Sequence, residues 1–126
     1  MILAAEVVDT LYQNGTPIVP LTVKYAVVNG NTSGNNTLVA AVSGKRILVL
    51  SMLLVAHGNV TCTLQSGAGG TDISGPYEFD GSAQPKGIQL NFCPKGHFRT
   101  AAGALLNMSL DAAVRVAGHL VYVETD

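Results

Sequence analysis

The sequence predicts an all-β fold: a single-domain antiparallel β-sandwich, jelly-roll-like, of about eight strands, with an N-terminal arm. Three observations predict it. From Gly44 onward, short segments alternate apolar and polar residues. Gly, Asn and Pro punctuate these segments at intervals of mostly about 8–12 residues, the spacing of sandwich or barrel strands. No segment carries the apolar period or the caps of a helix.

Residues 1–20 read as the arm and residues 21–126 as the sandwich. In the arm, Val7, Val8, Leu11 and Tyr12 are apolar, Gln13–Pro17 is a turn, and Pro17 and Pro20 disfavour a central strand. An alternative is that Val7–Tyr12 forms the first sandwich strand. Leu21–Val27 alternates and predicts a strand. Asn29–Asn36 is polar and Gly/Asn-rich, the composition of a mobile loop. Thr37–Val42 is a short strand ending at Ser43-Gly44. Arg46–Ala56 is the most apolar segment, with branched Ile47, Val49 and Val55, and reads as a strand buried on both faces. Gly58-Asn59 is a tight-turn signal, so this strand and the alternating Val60–Gln65 are expected to form a hairpin. Ser66–Gly75 is a Gly-rich loop before a short strand, Tyr77–Phe79. Ile88, Leu90 and Phe92 then alternate with Gln89 and Asn91. His97–Thr100 is a short strand. Leu106–Leu110 alternates again, and Val114–Glu124 is the last strand, with Val114, Val116, Gly118, Leu120 and Tyr122 on one face. The predicted core contains Val49, Cys62, Leu64, Leu90, Phe92, Met108 and Leu120.

Composition narrows the function. Charged residues make up 12% of the 126, about half the usual share of roughly 25%. The surface is therefore built from Thr, Ser, Asn, Gln and Gly, the kind that proteins bury against neighbours. A homo-oligomer is the expectation. The net charge is −1, and the seven Lys and Arg are scattered, so nucleic acid, which binds through clustered basic residues, is not an expected partner. Nor is a membrane: the apolar run Ile47–Ala56 is far short of the roughly 20 residues of a membrane helix. The N-terminus lacks the basic start of a signal peptide. Two cysteines, Cys62 and Cys93, are too few for a disulfide scaffold and read as free thiols.

The candidate chemistry is sparse. His57, His97 and His119 lack the spacing of a metal site. The loop Ser66–Thr71 is Gly-rich but has no Gly-Lys-Ser/Thr ending. Asp72, Glu78 and Asp80 fit no calcium-loop spacing. No Gly-x-Ser-x-Gly elbow occurs. The chain is expected to be non-enzymatic, without metal or other cofactor.

One series of motifs carries a resemblance. Gly44-Lys45-Arg46-Ile47-Leu48-Val49-Leu50-Ser51 is followed by Gln65-Ser66-Gly67, Ser74-Gly75-Pro76, Pro94-Lys95-Gly96-His97-Phe98 and Ala102-Gly103-Ala104-Leu105-Leu106-Asn107. The series closes on Gly118-His119-Leu120-Val121-Tyr122-Val123. Over residues 40–124 it resembles small virion structural proteins of bacteriophages. The resemblance implies a head decoration (cement) protein, made in the bacterial host cytoplasm and carried on the virion. It would bind the major capsid protein on the outside of the head and stabilise the shell. Low charge and apolar content lead to an expected self-association as a homotrimer or another cyclic oligomer, buried through one sheet face. A tail or fibre component, or a receptor- or carbohydrate-binding module, is the alternative. The resemblance transfers no residue-level site. The candidate contacts with shell or neighbouring subunit are the apolar arm residues Leu3, Val7, Leu11 and Tyr12.

Overall fold

Alternation of buried and open positions organises nearly every strand of the structure, a computed structural model that describes residues 22–126 and, as backbone, Tyr12–Gln13 and Thr16–Pro17. The strands are β1 (Tyr12–Gln13), β2 (Thr16–Pro17), β3 (Lys24–Gly30), β4 (Gly34–Val39), β5 (Arg46–Ala56) and β6 (Asn59–Ser66). After them come β7 (Thr71–Asp72), β8 (Tyr77–Asp80), β9 (Lys86–Leu90), β10 (Phe98–Arg99), β11 (Leu106–Leu110) and β12 (Val116–Thr125). Among the described residues there is no helix.

Two five-stranded antiparallel sheets result. In the first, β3 pairs with β12, β12 with β5, and the far side of β5 with both β9 and β10. In the second, β4 pairs with β11, β11 with β6, and the far side of β6 with both β7 and β8. Treated as one interrupted edge strand each, β7/β8 and β9/β10 bring the count to eight. The orders are then β3-β12-β5-β9/β10 and β4-β11-β6-β7/β8. Every connection between these eight strands crosses from one sheet to the other except β6 to β7. This is jelly-roll topology, two Greek keys folded into facing four-strand layers.

The core fills the space between the sheets. Val28, Ile47, Val49, Met52, Leu54, Val116 and Leu120 from the first sheet meet Val60, Cys62, Leu64, Leu106, Met108 and Leu110 from the second, all buried. Five of the seven predicted core residues, Val49, Cys62, Leu64, Met108 and Leu120, are fully or nearly fully enclosed. Leu90 is half-buried and packs on the cluster. Phe92 is 46% exposed. The strand that was to carry it inward stops at Leu90, opposite Met52, and the Cys93 amide then bonds Leu50 O, 2.9 Å away, which ends the alternation.

Other expectations are corrected. β5 and β6 are not a hairpin: the Gly58 turn carries the chain between sheets, and β6 pairs with β11 and β8 instead. Nor is β5 buried on both faces along its length; Leu53 and Val55 on its outer side are half-buried. The polar stretch 29–36 is mostly strand, with only residues 31–33 between β3 and β4. The Asn36 side chain holds that corner by donating to Thr32 O, 2.8 Å, and Met108 O, 3.2 Å. The Gly-rich segment closes a small hairpin, β6 to β7, with Gly67 and Gly69 at positive φ. In the arm, Tyr12↔Pro17 and Gln13↔Thr16 form a short antiparallel pair across the expected turn.

Candidate interaction surface

The outer faces of the two sheets differ in kind, and the difference follows from register. On the first sheet, inward rows such as Ala26–Leu120–Met52–Leu90 leave three outward rows. These are Tyr25–Val121–Ser51, Val27–His119–Leu53–Gln89 and Asn29–Ala117–Val55–Gly87. The centre of this face is apolar. Tyr25 is 77% and Val27 81% exposed, and Leu53, Val55, Ala117 and Val121 beside them are half-buried. His119 is the only titratable side chain in the Val27 row. At the end of the sheet Lys24 donates to Glu124 at 2.9 Å, which raises the lysine pKa through that bond and the carboxylate charge. Solitary exposed apolar residues need no explanation, but a contiguous patch marks an interaction surface.

The other end of the same face is already covered. Leu50 and Val123 are buried yet stand apart from the main cluster. The loop after β9 crosses there, and Gly96 lies so near Leu48 that a Cβ would come within 2.3 Å of its Cδ1. The open apolar region is thus confined to β3 and the adjoining parts of β12 and β5.

The outer face of the second sheet is polar. Its rows are Asn35–Ser109–Thr63 and Thr37–Asn107–Gln65–Asp72, with Thr61 beside Glu78. Asn107 points outward yet is 0% exposed. Its Nδ2 donates to Asn35 Oδ1 and Gln65 Oε1, both at 2.9 Å, and its Oδ1 accepts from the Asn36 amide at 3.0 Å. Gln65 Nε2 donates onward to Asp72 Oδ1, 2.9 Å, and the Gly69 amide donates to Asn35 Oδ1, 3.0 Å. A chain of amides therefore runs across β4, β11, β6 and β7. It satisfies its own polar groups and needs no partner.

Among the described residues, no three His, Cys, Asp or Glu side chains gather as metal ligands would. His57 is exposed at the β5–β6 crossing, its amide bonded to Arg115 O at 2.9 Å. His97 Nε2 lies 2.6 Å from Asn91 O, and His119 is on the apolar face. Asp72 is engaged by Gln65, and Asp80 Oδ1 accepts from Ser82 Oγ at 3.2 Å. Both cysteines are free. Burial pushes the Cys62 thiol up to about 12, which makes it an inert core residue rather than a nucleophile.

Of the predicted contact residues, Leu3, Val7 and Leu11 lie outside the described residues, and Tyr12 is described through its backbone pairing in β1. Tyr25 and Val27 were not singled out by sequence reasoning. Alternation groups them on one face, but only the partner strand shows which face is inside: Leu120 stands opposite Ala26, not opposite either of them. Among the described residues, no helix is long and apolar enough to cross a membrane. Compared with protein-family models, curated proteins and solved structures, the chain matches none.

Proposed function

We propose that this protein is a non-enzymatic structural protein of a bacteriophage virion, a decoration protein that binds the major capsid protein on the outside of the head and stabilises the shell. The observation that carries this reading is the sidedness of a low-charge jelly roll: one outer face apolar and open, the other polar and internally bonded. A small protein that lies on a larger surface needs such a pair of faces. One loses water against the support, and the other faces solvent. The jelly roll supplies rigidity, because each strand crossing ties one layer to the other. The sequence resemblance to small virion proteins supports the same reading.

The test is quantitative mass spectrometry of particles purified on a density gradient. Hundreds of copies per particle are expected for a decoration protein. A few copies would assign the chain to the tail or a fibre instead. Absence from particles would overturn the virion reading altogether.

A further inference from the structure

The first sheet ends in a strand whose one protection of the kind natural edge strands carry is a lysine at its start. Exposed edges are ordinarily blunted by shortness, bulges, proline or charge, because a free edge templates pairing with another chain. The other edges of this sandwich follow that rule. β7 and β10 are two residues each, β8 has four residues with Glu78 and Asp80, and β9 starts at Lys86, just after Pro85. β4 carries a register shift opposite Leu106/Asn107. β3 differs. It runs seven residues in unbroken register with β12, without proline or bulge, and shows Tyr25 and Val27 to solvent. Among the described residues, no strand pairs with its outer edge.

We infer that this edge binds a second copy of the chain: two β3 strands pair antiparallel about a two-fold axis near Val27, joining the two first sheets into one continuous sheet. The arrangement of charge selects this occupant and this direction. The only charged residue of β3 is Lys24, at its start. With the axis at Val27, Lys24 falls opposite Gly30 of the second copy, Tyr25 opposite Asn29, and Val27 opposite Val27. The two lysines are then about 20 Å apart along the strands, beyond the Debye length of about 8 Å, and each keeps its own Glu124. A parallel pairing in register would stack Lys24 on Lys24. An isologous contact also needs one free edge alone, whereas a head-to-tail ring needs two that complement each other, and the remaining edges are short or bulged.

Area favours the pair as well. Three strands about 4.8 Å apart and about seven residues long at about 3.3 Å each offer roughly 330 Å² in projection. That is less than half of the ~800 Å² per partner of a standard interface. Edge pairing sets two such faces side by side and doubles the apolar surface available to a larger support. The inference stands whether or not the protein decorates a particle.

The experiment uses the purified full chain. Light scattering at about 100 µM, well above a micromolar dissociation constant, should give twice the chain mass of 13.0 kDa. Val27→Lys, a substitution at an open position, should be monomeric with an unchanged thermal melt. Val27→Cys in a Cys93→Ser background should form a disulfide-linked dimer on mild oxidation. A wild-type monomer, a trimer, or a Val27→Lys variant that still dimerises would overturn the inference. So would a dimer in which Val27→Cys does not crosslink.

Discussion

Leu64 stands between Met108 on β11 and the turn around Ser74, whose Oγ accepts from its amide at 2.9 Å, and its side chain is fully enclosed. Leu64→Ala should cost roughly 2–5 kcal/mol in a denaturant melt, the range for large-to-small core changes. Leu90→Ala should cost less, since Leu90 is half-buried. Its neighbour Cys62 gives a second prediction. The folded thiol titrates at about 12 and the ordinary value is 9.0, so above pH 9 the unfolded chain loses its proton first. Stability from this residue is intact below about pH 9 and is lost as pH rises from there towards 12. Burial also raises the Tyr77 pKa, which acts in the same direction. A thiol reagent at neutral pH should label Cys93 in the folded protein and Cys62 only on unfolding. Asn107→Ala removes three hydrogen bonds and strands Asn36 and Gln65; about 1–3 kcal/mol of destabilisation is expected. At this scale the apolar core was legible, because alternation placed Cys62, Leu64 and Met108. The burial of Asn107 was not: a polar residue in an outward position reads as solvated, and its cover comes from amides on strands distant in sequence.

Strands were legible to within a few residues where alternation was clean, as in β6 and β11, or where a long apolar run with branched residues stood out, as in β5. Their pairing was not. The Gly58-Asn59 signal between two apolar strands is the same for a hairpin and for a turn between layers; the choice is made by β11, which takes the place beside β6 that a hairpin would have given β5. Gly118 shows how tightly the central pair is set. A Cβ there would stand 1.8 Å from Leu53 O, so the β5–β12 ladder tolerates hydrogen alone at that position. Gly118→Ala should destabilise at the upper end of the ~1–3 kcal/mol range of overpacking, and amide exchange should quicken around Leu53 and Gly118 ahead of the second sheet. In contrast, replacing Tyr25 and Val27 together by Ser should change the melt by no more than about 0.5 kcal/mol per residue, as open surface changes do, while abolishing self-association.

The whole molecule is asymmetric across its thickness, and that asymmetry is the basis of the functional reading. The low share of charged residues pointed to a surface made for burial. It could not say which surface, because the choice depends on how β3, β12 and β5 lie side by side and on the loop at Gly96 that covers one end of their outer face. Electron cryo-microscopy of the purified particle tests the account most directly. It predicts density for this jelly roll on the outside of the head, with the sheet containing β3, β12 and β5 towards the shell and the amide-bonded sheet containing β4, β11 and β6 towards solvent. Density with the amide-bonded sheet against the shell, or a head surface without this fold, would contradict it.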